Sequence, residues 1–282
     1  MIAVIDIGSN SVRLMLWADG KAILKRIITT RLGEGMKNCC LAHAAILRSA
    51  EAVSFFYGEA VKAGAERIYA FATAAVRTAK NQSEFIDRVK ELCGLCIDVV
   101  SGDEEAELAA FGALGTGDGT VIDVGGASSE ILSKEEGTTV YAKSFAIGAV
   151  TLRERCFDER RKSEDFVGEI FSELPRLKGK PYAVGGTATA LAALYLELEE
   201  YDAARVQNCF LSLAALKEIK EKLFSLSVEE RKKLRGMEEG RADVLAGGAC
   251  ILSAIAEKIG AEGIFVSDRD NLEGYLYARR FL

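Results

Sequence analysis

One histidine, His43, serves a chain of 282 residues. Imidazole is the side chain that most often acts as a general base near neutral pH, so its scarcity removes mechanisms. A Ser-His-Asp triad would have to use His43. That residue sits in AHAAILRSAEAV, a stretch of helical spacing without catalytic neighbours. HExxH, GxSxG and GxxxxGK[ST] patterns are missing as well. Proline is nearly absent: there are two, Pro175 and Pro181, and no Ser/Gly-rich linker. Two domains, if present, are expected to be packed rather than tethered. No apolar run reaches the roughly 18 residues that a membrane helix needs. Basic charge is also short. The net charge of −6 argues against a general nucleic-acid binder, which needs a basic surface to displace counterions. A phosphate ligand held by backbone N–H groups, a few local Arg or Lys and a metal stays compatible with it.

What is present begins with cysteine. The seven are an odd set, and no secretory signal precedes them, so reduced thiols in a cytoplasmic protein are expected. Cys93-Gly-Leu-Cys96 lacks the second pair that a zinc site needs, and Cys39-Cys40 has the wrong spacing. At 49% hydrophobic and 28% charged, the composition is that of a globular chain with enough apolar residues for a core.

The most informative feature is a repeat. VIDIGSNS, from Val4 to Ser11, nearly recurs as VIDVGGASSE, from Val121 to Glu130. Each copy opens the same pattern. Strands are expected at Ile2–Ile7, Val12–Ala18 and Ala22–Thr29, with Asp19-Gly20 as a hairpin turn. They recur at Thr120–Val124, Ser128–Ser133 and Thr138–Phe145, with a turn at Glu136-Gly137. Helices are expected over 41–63, 83–92 and 103–114 in the first half, and over 187–197, 213–224, 241–259 and 271–280 in the second. Further strands are read at 67–72, 96–101, 181–184 and 263–266. The glycine-rich segment 115–119 is the best boundary candidate. The reading is a duplicated α/β fold, with a first domain over 1–117 and a second over 118–270. The C-terminal helix, 271–282, is a candidate to pack back on the first.

Each repeated loop sets an aspartate, Asp6 or Asp123, at the C-terminal end of a buried strand. Small residues then turn the chain. Glycine lets the backbone approach a ligand, successive N–H groups form an anion-binding concavity, and Ser9, Asn10, Ser11, Ser128 and Ser129 add side-chain donors. Two aspartates facing each other across a cleft would suit Mg2+. Either loop taken alone also reads as a plain hairpin turn. Arg77, in ATAAVRTAKN, is placed to pair with a phosphate. Glu104 and Glu105, in SGDEEAEL, begin a helix. They read either as residues favoured by its dipole or as a general base for water, since no histidine is on hand. Gly185-Gly186, in AVGGTATALAAL, precedes a helix whose N-terminus can take a phosphate, or simply allows close helix–strand packing.

In order, DIGSNSVRL, ATAAVRTAKN, SGDEEAEL, VIDVGGASSE, SFAIGAVTL, VGGTATALAAL and RADVLAGGACIL resemble the exopolyphosphatase / guanosine pentaphosphate phosphohydrolase (Ppx/GppA) family over nearly the whole chain. That family belongs to the superfamily of actin, heat-shock chaperone ATPases and sugar kinases. The resemblance implies two ribonuclease H-like domains with a cleft between them. It implies hydrolysis of a terminal phosphoanhydride of inorganic polyphosphate, and in some members of guanosine pentaphosphate, with release of orthophosphate. Mg2+ is the usual metal, with Mn2+ as an alternative and K+ as a further cation. The family's proposed base falls on Glu105 and its phosphate-binding arginine on Arg77. Its acidic residues for metal and water placement fall on Asp123 and Glu130, expected here together with Asp6. Its two phosphate loops fall on Gly8, Ser9, Asn10 and Ser11, and on Gly125, Gly126, Ala127, Ser128 and Ser129.

Departures are visible. Ala127 stands where the family has glycine, and if that position needs positive φ the loop is strained or reshaped. A Val-His-Gly motif corresponds to Val206-Gln207-Asn208. The SDxGLREG motif becomes SDRDNLEG, with Leu272 at the arginine position. The chain resembles a short, two-domain form. Two rival readings stay open: an ATP-binding kinase or ATPase of the same superfamily, and a polyphosphate or alarmone sensor without turnover.

Overall fold

Buried apolar strands that are paired in parallel need helices on their faces, and the chain builds that arrangement twice. The computed structural model describes residues 1–36 and 38–279. Its contacts divide the chain into two units. One runs from Met1 to Glu105 and regains the chain at Tyr275; the other is Ala106–Gly274.

The first unit opens with β1 (Ile2–Ile7), β2 (Ser11–Ala18) and β3 (Lys21–Thr29). Then come α1 (His43–Lys62), β4 (Arg67–Ala72), α2 (Ala74–Thr78), α3 (Gln82–Cys93), β5 (Asp98–Val99) and the start of α4 (Gly102–Leu114). The sheet order is β3-β2-β1-β4-β5, antiparallel through the hairpins and parallel from β1 outward. Asp19 (φ 52°) and Gly20 (φ 75°) make the β2–β3 turn, the two-residue left-handed geometry that matches strand twist. Ile5, Ile7 and Leu14 pack with Ile46, Val53, Phe56 and Phe85 under the sheet. Side chains alternate along a strand, so Asp6 and its cross-strand partner Arg13 lie on the opposite face. Edge strand β3 is largely exposed and carries Lys21, Lys25 and Arg26, charges that discourage pairing with another chain. Tyr275 stacks on Phe71 at 4.9 Å, and its hydroxyl donates to Asp98, which also accepts from Arg279.

The second unit opens with β6 (Gly119–Val124), β7 (Ser129–Glu135) and β8 (Thr138–Phe145). It continues with α5 (Ala149–Cys156), α6 (Arg160–Ile170), β9 (Pro181–Val184), α7 (Gly185–Tyr195), α8 (Ala203–Val206) and β10 (Phe210–Ser212). After α9 (Leu213–Ser225) and α10 (Val228–Arg231) come a 3-10 turn at Glu239–Arg241, α11 (Leu245–Ile259), β11 (Gly263–Val266) and α12 (Asn271–Ala278). The order β10-β11-β9-β6-β7-β8 repeats the first sheet, with β10 added at one edge. This is the ribonuclease H-like arrangement, present twice. Even the irregularities repeat: the β7–β8 turn uses Glu136 (φ 51°) and Gly137 (φ 72°). A register shift falls at Leu16/Trp17 in one hairpin and at Ser133/Lys134 in the other.

Helix α11 is almost wholly buried from Leu245 to Ala256, with residues of α5, α6, α7 and α9 around it. On the other face of that sheet Ala106, Ala109 and Ala110 of α4 pack on Val121, Leu132 and Val184. The chain therefore passes between units inside α4, not at the glycine-rich segment expected to be the boundary. Several elements differ in length from expectation. Strand β5 has two residues instead of six, and α11 starts at Leu245 because the 3-10 turn takes Arg241. The last helix was expected to reach Arg280, which lies outside the described residues. All seven cysteines are free thiols, and His43 is exposed at the start of α1. Among the described residues, no helix is long and apolar enough to cross a membrane.

Candidate active site

In the first unit the loop after β1 is one tight turn: Gly8 N–H donates to Ser11 O at 3.0 Å. Its other carbonyls are taken by the segment after β3. Thr30 and Arg31 N–H groups donate to Asn10 O (3.0 and 2.8 Å), and Gly33 N–H donates to Ser9 O (2.8 Å). Satisfied carbonyls pin the peptide planes of the turn. Ser9, Asn10 and Ser11 are buried, and Asn10 Nδ2 donates to Ser11 Oγ at 3.3 Å.

Glu104 and Glu105 separate at the start of α4. Ser101 and Glu104 form a capping box: Ser101 N–H donates to Glu104 Oε2 (2.7 Å), and Glu104 N–H donates to Ser101 Oγ (3.2 Å). Hydrogen bonds from the Ser101 N–H and hydroxyl to the Glu104 carboxyl hold it below its usual range. The next residue is turned inward. Glu105 is 5% exposed and accepts from Arg77 Nη1 at 2.7 Å. The same Nη1 donates to Val100 O at 3.0 Å. Burial pushes the Glu105 carboxyl above the usual carboxylate range, and the neighbouring charge of Asp6 adds to this. Arg77 and a hydrogen bond from Thr73 pull the other way without cancelling it. Arg77 owes its place to α2, a five-residue helix at the end of β4.

Asp6, expected near a metal, is instead ion-paired inside its own hairpin. Arg13 Nε donates to Asp6 Oδ2 at 3.0 Å, and Nη2 reaches the same oxygen.

In the second unit the loop after β6 is the same turn, with Gly125 N–H donating to Ser128 O at 2.9 Å. Here a helix takes the carbonyls. Ala149 N–H donates to Gly125 O (2.9 Å), and Val150 and Thr151 N–H groups donate to Gly126 O (2.8 and 3.2 Å). This demands glycine at 148, where a Cβ would collide with the Gly126 carbonyl and lie 2.6 Å from Ala127 N. Ser129 differs from expectation: its hydroxyl donates to Ile147 O at 2.6 Å, so its one O–H is committed to the fold.

Asp123 and Glu130 are direct cross-strand neighbours, and the row continues to Ser144, whose hydroxyl donates to Glu130 Oε1 at 2.7 Å. Asp123 Oδ2 accepts from Asn271 Nδ2 at 3.0 Å. Its other oxygen packs on Gly185, whose φ is +78° and where a Cβ would be 2.5 Å from Asp123 Oδ1. Gly186 has the guanidinium of Arg241 against it, in the space that a Cβ would need. Arg241 is buried and bonded through Nε to Glu238 at 2.8 Å. A positive charge therefore sits beside the N-terminal turn of α7. Thr187 Oγ1 donates to Val124 O at 2.6 Å and ties that turn to β6.

Among the described residues, no three His, Cys, Asp or Glu side chains gather to hold a metal ion. Two carboxylates side by side, Asp123 and Glu130, nevertheless suit Mg2+, which takes one or two carboxylates and completes its shell with water and phosphate. Asp6 is held by Arg13 through Oδ2. Two surface hollows of the second unit, about 620 Å³ beside Tyr201 and about 380 Å³ beside Phe210, hold none of these residues.

Residues 15–280 match the sequence pattern of the Ppx/GppA phosphatase family. The chain belongs to that family, whose members are phosphoanhydride hydrolases. It is 30% identical over 310 aligned positions to Exopolyphosphatase 2 of Mycobacterium tuberculosis, covering 97% of this chain and 96% of that protein. Among solved structures, the Ppx/GppA family member of Aquifex aeolicus is 30% identical, with a TM-score of 0.80 and coverage of 99% and 97%. An exopolyphosphatase from Cytophaga hutchinsonii shares the fold at a TM-score of 0.88, 23% identity and coverage of 99% and 97%.

The departures from the Ppx/GppA motifs have local explanations. Ala127 is not among the positive-φ residues, so alanine brings no strain there. Asn208 stands at the glycine of Val-His-Gly with φ 64°, a conformation that asparagine tolerates. Gln207 Oε1 accepts the Asp268 N–H at 2.9 Å. Leu272 is buried. Arg13, Gly148, Arg241 and Asn271 were not read as site residues. All four lie within the family-like motifs, and the seven-residue step from Asp6 across a hairpin was the available signal for Arg13.

Proposed function

We propose that this chain removes terminal orthophosphate from inorganic polyphosphate by direct attack of water, with guanosine pentaphosphate as a second substrate. The observation that carries the reading is Glu105: a buried carboxyl with a raised pKa, held by Arg77 at 2.7 Å. In a chain with one exposed histidine, it is the group poised to take a proton from water. Arg77 commits Nη1 to Val100 and Glu105. The remaining N–H groups of its guanidinium fork are suited to a phosphoryl oxygen. The N–H groups of the two tight turns bind phosphate charge, and Arg241 strengthens the α7 terminus for the same purpose. Asp123 and Glu130 would hold Mg2+ or Mn2+, which when bound neutralises phosphate oxygens. Charge stabilisation and positioning carry most of phosphoryl-transfer catalysis, and no covalent phosphoenzyme is needed.

The test is orthophosphate release from long-chain polyphosphate, guanosine pentaphosphate and ATP, with Mg2+ or Mn2+ and K+ present. Glu105→Gln should lower the rate by about 10²- to 10⁴-fold. In the wild type the rate should rise with pH through a range above that of an ordinary carboxylate, because the base form of Glu105 appears only above its raised pKa. A variant that keeps its rate would overturn the role of Glu105. Turnover of ATP alone would favour the kinase or ATPase reading, and tight binding of polyphosphate without release would favour the sensor.

A further inference from the structure

The SDRDNLEG segment departs from the family motif, and its asparagine lies against Asp123. Asn271 is 3% exposed. Its Nδ2 donates to Asp123 Oδ2 at 3.0 Å. Its carboxamide oxygen, Oδ1, is buried and accepts no hydrogen bond among the described residues. A buried amide oxygen without a donor is costly, on the order of 1–3 kcal/mol, and such a group in a well-packed position calls for a ligand.

The backbone around Asn271 is held to a tight tolerance. A Cβ on Gly112 would come within 2.6 Å of the carbonyl carbon of Asp270, and one on Gly274 within 2.6 Å of the carbonyl carbon of Leu108. Both glycines thus let α4 and the start of α12 meet backbone to backbone, on either side of Asn271. Leu272 N–H donates to Asp270 Oδ1 at 3.0 Å, and Asp270 N–H donates to Glu273 Oε2 at 3.2 Å, closing the turn. The carboxamide has little freedom to look elsewhere.

We infer that Asn271 is a third oxygen ligand for the divalent cation proposed at Asp123 and Glu130, and that its Nδ2 orients the Asp123 carboxylate for the same ion. The inference rests on that cation reading. Mg2+ and Mn2+ prefer six oxygen donors, and neutral amide oxygens serve beside carboxylates. Two carboxylates and one carboxamide leave three positions for water or phosphate oxygens.

The test is Mn2+ alone, titrated into the full chain without substrate. The readouts are electron paramagnetic resonance of free Mn2+ and water-proton relaxation, which counts waters on the bound ion. Wild type should bind one Mn2+, and Asp123→Ala should abolish it. Asn271→Leu should weaken binding by at least about tenfold and add one water to the bound ion. Asn271→Asp, which keeps the shape and supplies an oxygen, guards against simple misfolding. It should bind Mn2+ at least as tightly as wild type, with no added water. Unchanged affinity and water count in Asn271→Leu, with Asp123→Ala dead, would overturn the role of Asn271 and leave the cation site standing. Weakening by both Asn271 variants would reduce Asn271 to positioning Asp123 and overturn ligation. Wild-type chain that binds no Mn2+, or Asp123→Ala that still binds it, would overturn the cation reading itself.

Discussion

The two hairpin loops share a backbone turn and differ in the residue that faces the aspartate across the strands. Opposite Asp6 stands Arg13; opposite Asp123, at the same register, stands Glu130. In the first unit a carboxylate faces a guanidinium, and Arg13 holds Asp6 through Oδ2. In the second, two carboxyl groups share one face and accept hydrogen bonds from Ser144 and Asn271. The residue across from the aspartate carries a guanidinium in one copy and a second carboxyl in the other. The supports differ too: a turn-forming segment at 30–33 against the N-terminus of α5. A duplicated fold supplies the two turns proposed to bind phosphate, and the residue across from each aspartate sets them apart.

The largest test of that contrast removes one member from each pair. Arg13→Ala removes the guanidinium paired with buried Asp6 and should cost about 3 kcal/mol in chemical denaturation. Glu130→Gln should do the reverse for the cation-free protein. It relieves a like-charge cross-strand pair, which is worth about 0.5 kcal/mol, while Mn2+ affinity falls. If both variants destabilise equally without metal, the charge contrast has no energetic meaning.

A second comparison exchanges the supports. Gly148→Ala drives a methyl into the backbone of Gly126 and Ala127, whereas Gly33→Ala meets Ser9 Cβ at 3.3 Å. The first should lose about 1–3 kcal/mol together with much of the phosphatase rate. The second should lose well under half as much. Thermal melts and orthophosphate release on both would reveal whether the helix-backed turn is indeed the more rigid.

The smallest effect is expected at Ala127. Since its φ is not positive, Ala127→Gly should leave the rate unchanged. It should cost about 0.5 kcal/mol or less in melting experiments, through greater freedom of the unfolded chain. A clear gain in rate would mean that the alanine constrains the loop after all.

Much of the fold was legible because it depends on periodicity and turn chemistry. The paired VID runs, Asp19-Gly20 and Glu136-Gly137 announce both hairpins, and β1, β4, β8, β9 and β11 have the expected limits. Helix α2 and strand β10 were not legible: five and three residues are too short to show a period. At the site, sequence brought Arg77 and Glu105 into one reading, and the structure joins them by a hydrogen bond. Residue chemistry alone did not separate Glu104 from Glu105, because both are favourable at a helix start; the family resemblance put the base on Glu105, and the hydrogen bonds of Ser101 and Arg77 show how the two differ. Nor did sequence reveal that Ser129 turns its hydroxyl inward or that Arg13 takes Asp6, since both depend on which face of the hairpin meets which neighbour. Asn271 was hidden because its contact with Asp123 spans most of the second unit.

The capping box of α4 has a consequence for how this sequence tolerates change. Ser101 and Glu104 set the angular phase of the helix, and Glu105 is the next step round. Each residue advances an α-helix by about 100°. An inserted or deleted residue between Ser101 and Glu105 would therefore swing the carboxylate away from Arg77, whereas most substitutions there would not. Length, more than letter, is what this short stretch has to preserve.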